Sequence, residues 1–357
     1  MDRIKMNYNW NLKDAVFTKD KGKVFSCFAC GGGSTMGYKL AGFDVIGHND
    51  IDPKMVEVYK VNHNPKFSYL ESVTTFAKRK DLPKELYKLD ILDGSPPCSS
   101  FSMAGNREKD WGKEKKFREG QELQVLDTLF FDFIDLAKEL QPKVVVAENV
   151  KGLLMGDAKK YVIEIYKAFD EAGYTCQHFL LDASKMGVPQ RRERVFFIAL
   201  RKDLAPKFME YVDMFTELPK IELEFNEKEI PFKDIYESNA KGEQRIPPSY
   251  GNMWDKRIVT EYSMNETTMR IEGVDKFFSV KYLHKHKVLN TITGGEKNIL
   301  YDEKRTLSKS ELCKGGSFPQ DYNFLNVKPN YLIGMSVPPL MTGKIAEQIY
   351  KQWLSKL

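Results

Sequence analysis

Four stretches of the chain carry residues whose types and spacing can do chemistry. The first is a lone thiol: Cys98 follows Asp93-Gly94-Ser95-Pro96-Pro97. Two prolines fix the backbone just ahead of it, so a thiolate there is aimed without a large entropy loss on reaction. The second is Glu148, in Glu148-Asn149-Val150, which follows an apolar run and suits proton donation. The third is the run Gln190-Arg191-Arg192-Glu193-Arg194, whose guanidinium groups can hold a phosphate or the edge of a base. The fourth is Cys30-Gly31-Gly32-Gly33 with Asp50 some twenty residues on, a pattern for binding rather than reaction. Glycine lets a ligand approach the backbone, the next helix offers free N–H groups, and an acid at the following strand end accepts from both hydroxyls of a ribose. Each stretch also has a plain structural reading: a buried thiol, a capping or ion-paired acid, a solvated charged edge, a tight turn.

The elements around these residues alternate. Residues 23–29 read as a strand, the glycine turn leads into an amphipathic stretch to Ala41, and 43–48 read as a second strand ending before Asp50 and Ile51. A helix over 53–62, a strand over 89–92, a helix over 123–140 and a doubly buried strand over 143–147 continue the pattern, which predicts a mostly parallel sheet. A helix over 159–172, strands over 177–181 and 195–200, and a last helix over 341–354 complete it. Cys98, Glu148 and Asp50 then share the carboxyl edge of the sheet, where open α/β sheets keep their sites. Residues 105–121, densely charged with one tryptophan at 111, read as a mobile loop able to close over a substrate.

Composition bounds the rest. The chain has 357 residues, 42% hydrophobic and 29% charged, enough for one large domain or two unequal ones. No apolar run is long enough to cross a bilayer and the polar N-terminus lacks a signal-peptide core, which predicts an intracellular, cytoplasmic protein with no membrane partner. Five cysteines without a regular framework suit a reducing compartment; Cys27 and Cys30 have no second pair to complete a zinc site, so no metal is expected. The net charge of +5 permits a polyanionic partner. Past residue 201 the composition changes: 204–226 is acidic and reads as irregular, and 276–287 interleaves bases with aromatics, as nucleic-acid surfaces do and as chance also produces.

Together these stretches resemble the cytosine carbon-5 DNA methyltransferases, through the Pro-Pro-Cys segment ending at Cys98, the Glu148-Asn149-Val150 triplet and Gln190 to Arg194, in the family's order. The glycine turn after Phe28 corresponds to the family's cofactor loop, 305–311 to the segment supporting its variable domain, and Gly334-Met335-Ser336-Val337 to its C-terminal cofactor motif. The resemblance implies a Rossmann-like, S-adenosylmethionine-dependent α/β sheet in 1–201, completed by 288–357, with a smaller target recognition domain in 202–287. It implies Cys98, Glu148, Arg192 and Arg194 as catalytic residues. It implies Phe28, Gly31, Gly32, Gly33, Asp50, Ile51, Ser72, Ser95, Pro96, Ser336 and Val337 around S-adenosylmethionine, and Asn149, Val150 and Gln190 near the target base. Double-stranded DNA is the implied partner, with a cognate restriction endonuclease as a second one and a monomer as the working form. Ser26 and Cys30 stand where the family usually has aspartate and glycine, Asp50 where glutamate is commoner, and Ser72 and Met335 in place of an aspartate and an asparagine. Two other readings of the same residues are a catalytically inactive DNA-binding paralogue and the family's transfer-RNA branch, whose Cys-Phe-Thr signature this chain lacks.

Overall fold

The computed structural model describes residues 6–97, 114–115, 124–125, 128–156, 158–211, 213, 216–277, 279–295 and 297–357. Cys98 and most of the expected loop 105–121 lie outside the described residues; of that loop only the short strand Glu114–Lys115 is described, paired antiparallel with Gln124–Val125. Two compact units divide the chain. One comprises Val16–Asp182, Glu193–Glu224 and Thr342–Leu357; the other comprises 6–15, Ala183–Arg192 and Phe225–Met341.

The first unit is built on seven strands: β1 Lys23–Cys27, β2 Asp44–Asp50, β3 Phe67–Leu70, β4 Ile91–Gly94, β5 Val144–Val150, β6 Tyr174–Asp182 and β7 Glu193–Arg201. Their spatial order is β3-β2-β1-β4-β5-β7-β6. Parallel pairing runs from β3 through β5, as the alternating sequence predicts, while β7 runs antiparallel to both β5 and β6. Antiparallel neighbours need no crossover helix between them, which is why β6 and β7 follow each other without one.

Helices α1 Gly33–Leu40, α2 Pro53–His63, α3 Val73–Phe76, α4 Leu129–Leu140 and α5 Ala158–Glu171 join the parallel strands. Phe130, Phe133 and Ile134 of α4, Ile165 and Phe169 of α5, and Phe76 of α3 pack with Phe25, Val145 and Phe197 of the sheet in one buried cluster. α4 starts at Leu129 rather than 123, since Gln124–Val125 is extended, a choice that helical spacing of apolar residues does not register. β5 continues past the apolar run to Val150, so Glu148, Asn149 and Val150 are strand residues. The stretch expected to be irregular holds a small antiparallel hairpin, β8 Met209–Tyr211 with β9 Glu217–Pro219. The last helix runs over Pro339–Gln352, two residues ahead of the expected start, because proline is well tolerated at a first helical position.

The second unit carries α6 Pro248–Asp255, α7 Met264–Glu272, β10 Lys281–Leu283, β11 Asn298–Leu300, α8 Lys309–Gly315 and α9 Pro329–Met335. β10 and β11 pair in parallel over a core of Met253, Met264, Val280, Tyr282 and Ile299. Within the run 276–287, Val280, Tyr282, Leu283 and His284 are buried, while Lys276, His286 and Lys287 are exposed. Tyr282 is buried, Phe277 packs on the core, and His284 stacks on Tyr301 with ring centroids 4.3 Å apart. α8 opens on a capping box between Ser308 and Glu311, and Arg305 closes on the fully buried Glu311 through both terminal nitrogens at 2.7 and 2.9 Å.

Candidate active site

The glycine turn lies between the end of β1 and α1. Its backbone leaves the usual range at Phe28, Cys30 and Gly32, with φ of 52°, 48° and 84°. Only glycine fits the last of these, because a Cβ there would also lie 2.2 Å from Nε2 of His63. Asp50, at the end of β2, secures the turn: its carboxylate accepts the N–H of Cys30 at 2.7 Å and that of Asp52 at 2.8 Å. Burial pushes the carboxyl of Asp50 up to about 6 against the pull of those N–H groups. α1 has no side-chain cap, the arrangement in which first-turn N–H groups can meet an anion. Gly31, Gly32 and Gly33 are buried, while Phe28 and Ile51 are half-buried. Ser72 instead caps α3, accepting the N–H of Thr75 at 3.1 Å.

The carboxyl ends of β4 and β5 and the amino end of the antiparallel β7 hold the second half of the site. Asn149 donates from Nδ2 to the carbonyl of Pro96 at 3.1 Å, while its Oδ1 accepts the N–H of Val150. A residue expected near the target base thus braces the Ser95-Pro96-Pro97 segment that leads to Cys98. Arg194 on β7 faces Val150 in register, and strand alternation puts Glu148 on the same face as Val150. The Nε of Arg194 accordingly meets Oε1 of Glu148 at 2.9 Å, with both side chains largely buried.

A third carboxylate was not among the expected site residues. Asp93, on β4 directly opposite Ser26 of β1, accepts from Ser26 Oγ at 2.7 Å, Ser34 Oγ at 2.8 Å and Tyr38 OH at 3.1 Å. Burial holds its carboxyl up at about 6, and the charge of Glu148 adds to the shift. Nothing in the sequence marks Asp93 except its place ahead of the proline pair.

Two expected site residues have structural partners within the second unit. Arg192, expected to be catalytic, is buried and donates to the carbonyls of Ile292, Gly334 and Ser336 at 3.1, 3.0 and 2.9 Å. Gln190, expected near the target base, donates to the carbonyl of Gly315 at 2.8 Å and accepts the N–H of Ile292 at 3.0 Å. Arg192 thereby fixes the backbone that carries Ser336 and Val337, both of them buried, while Gln190 ties Gly315 to Ile292. The hydroxyl of Ser336 donates to the carbonyl of Leu332 at 2.8 Å.

Comparison with known proteins agrees with this geometry. Residues 22–351 match the C-5 cytosine-specific DNA methylase family. The chain is 29% identical to the type II methyltransferase M.FnuDI of Fusobacterium nucleatum over 92% of its own length and 94% of the relative's. It is 30% identical to the type II methyltransferase M.NgoPII of Neisseria gonorrhoeae over 92% and 95% of the two chains. In fold it is similar to a prophage-encoded E. coli protein described as a DNA modification methyltransferase, with a TM-score of 0.62 and 20% identity over 92% of this chain and 99% of the other. No helix among the described residues is long and apolar enough to cross a membrane. The family implies a DNA substrate and S-adenosylmethionine as methyl donor. With its seven-stranded sheet, the Pro-Pro-Cys segment and the Glu148–Arg194 pair, the chain belongs to the C-5 cytosine-specific DNA methylases and is a DNA (cytosine-5)-methyltransferase.

Proposed function

We propose that this chain methylates carbon-5 of one cytosine within a short recognition sequence in double-stranded DNA, as the modification enzyme of a type II system. The observation that carries the reading is the buried Glu148–Arg194 pair on the ends of β5 and β7, on the edge where Asn149 holds the segment leading to Cys98. The type II names of the relatives support the modification role.

The chemistry follows from the needs of the ring. Carbon-5 of cytosine is a weak nucleophile, and addition of the Cys98 thiolate to carbon-6 converts the ring into an enamine. Glu148 supplies a proton at ring nitrogen 3, which neutralises the charge that develops, and Arg194 holds Glu148 in place while reaching toward the 2-oxo group. Once carbon-5 carries the methyl group, loss of its proton to solvent, return of the nitrogen-3 proton to Glu148 and breakage of the carbon–sulfur bond restore the neutral aromatic ring and the Cys98 thiolate. Because the target atom is stacked in the duplex, the base has to be flipped out at a cost of a few kcal/mol.

The residues present fit the cofactor. The uncapped N-terminus of α1 suits an amino-acid carboxylate, and the free lone pairs of Asp50 suit ribose hydroxyls. Phe28 and Ile51 offer apolar surface for a base, with Ser95 and Pro96 on the neighbouring strand end. When bound, S-adenosylmethionine supplies an electrophilic methyl group. Residues 202–287 are the candidate recognition domain.

Methylation-sensitive sequencing of DNA from a methyl-deficient host expressing the chain tests the reading, beside a Cys98→Ala control. Methylated cytosines in one short motif, absent from the control, are expected. Methylation that persists in the control, or none with the active chain, would overturn it.

A further inference from the structure

We infer that Asp93 is a positioning residue for methyl transfer: its carboxylate locks the first turn of α1 to the end of β4, so that the cofactor loop and the segment leading to Cys98 are set in one register. The inference rests on the cofactor reading above. Its basis is geometric. The three hydroxyls on Asp93 come from three places in the glycine-turn motif: Ser26 in β1, Ser34 in the first turn of α1 and Tyr38 one turn later. Ser26 and Tyr38 are fully buried, Ser34 nearly so, and Asp93 itself is 4% exposed, so no water competes for these bonds. An ionised carboxylate accepts all three at once, whereas an amide or a protonated acid offers fewer lone pairs and introduces a donor that one hydroxyl must turn to meet. On the downstream side, Gly94 is in van der Waals reach of Phe133 only because it lacks a Cβ, and Pro96 is tied to Asn149. Through Asp93, bonded to β1 and α1, and through Pro96, bonded to Asn149 of β5, the same short segment is therefore held from both neighbouring strands.

The position of the carboxylate is also informative. Ser26 stands where the resemblance leads one to expect aspartate, and Asp93 is its direct register partner on the adjacent strand. Ser26 Oγ and Ser34 Oγ are 3.4 Å apart, so a carboxylate placed at this point of β1 would lie beside the hydroxyl of Ser34. Exchanging the two residues would swap the two ends of the Ser26–Asp93 hydrogen bond. That exchange should then restore much of what removal of the acid takes away, a result that simple loss of packing does not produce.

The test uses the full chain with D93S, D93N and the exchange variant S26D/D93S, measuring the Kd for S-adenosylmethionine by calorimetry, kcat at saturating cofactor, and the melting temperature. D93S is expected to weaken cofactor binding by about tenfold or more, the loss of hydrogen bonds to a charged acceptor. D93N, which keeps the volume and guards against a folding failure in D93S, is expected to show the same direction. S26D/D93S is expected to recover most of the binding and the turnover. Wild-type affinity and kcat in D93N would overturn the inference, and so would a folded S26D/D93S protein that binds no better than D93S. Failure of the wild-type chain itself to bind S-adenosylmethionine would instead overturn the functional reading, and this inference with it.

Discussion

Replacing Asp50 with asparagine should stabilise the protein at neutral pH while weakening its grip on the cofactor. The carboxyl is 9% exposed and burial raises it from the ordinary 3.8 to about 6. Its contribution to stability is therefore complete below about pH 3.8 and is lost as pH rises through about 6, where the folded state is forced to ionise a desolvated group. A shift of that size corresponds to ~3 kcal/mol at neutral pH. Asparagine is a close mimic of the protonated acid: one oxygen still accepts an N–H from Cys30 or Asp52, and the other position becomes a donor in both cases. At pH 4 the D50N variant and the wild type should thus match within ~1 kcal/mol, and by pH 7.5 the variant should be ahead by ~3 kcal/mol. Urea unfolding of the two proteins in parallel from pH 4 to 7.5 measures the difference, in which the titration of every other group cancels. Binding of S-adenosylmethionine should fall about tenfold or more over the same range, since an amide cannot accept from two ribose hydroxyls while holding the turn. A pH-independent difference between the proteins, or a D50N protein less stable than wild type at pH 7.5, would refute the claim that this carboxylate is kept ionised at a cost for the sake of the turn.

Two further outcomes follow from packing and charge. In Gly94→Ala the new Cβ would lie 2.5 Å from Cε2 of Phe133, an overpacking worth ~1–3 kcal/mol, and a second change, Phe133→Leu, should recover part of the stability by opening that space, as urea midpoints would show. Arg194→Gln leaves the largely buried Glu148 without its partner, so a loss of ~3–5 kcal/mol is expected, whereas E148Q/R194Q should be milder and both should be inactive; a double-mutant cycle with no coupling would contradict the pairing.

The fold was legible where residue type constrains the backbone strongly. The apolar run before Glu148 and the glycine turn before α1 announce a strand and a strand-to-helix turn, because few other backbones satisfy a fully buried β-branched run or a left-handed residue at φ 84°. Boundaries were less legible. β5 runs on through polar Glu148 and Asn149 because β7 supplies antiparallel partners there, a tertiary fact that local pattern does not contain. Arg192 and Arg194 look alike in the sequence, and their tasks differ. Arg194 lies within β7, where alternation points it at Glu148, while Arg192 precedes the strand and is spent on three carbonyls. The same limit applies to 276–287, where the mixture of bases and aromatics says nothing about which of its residues are buried.

The three carboxylates on the sheet edge show what motif reading and structure each contribute. Asp50, Asp93 and Glu148 are all acids near the ends of buried strands, and the sequence singles out Asp50 and Glu148 while passing over Asp93. Their partners separate them. Asp50 is held by backbone N–H groups, Asp93 by hydroxyls, and Glu148 by a guanidinium. Backbone donors make Asp50 a brace for the loop, since those bonds fix main-chain positions directly. Hydroxyl donors make Asp93 a joint between elements, since each hydroxyl belongs to a different turn of structure. The guanidinium of Arg194 takes one oxygen of Glu148, and in the proposed mechanism the other oxygen carries the proton to the ring nitrogen. The departure at Ser26 could be seen from the sequence alone, but its compensation could not, because Asp93 lies 67 residues away and becomes its neighbour only when β1 and β4 pair in parallel.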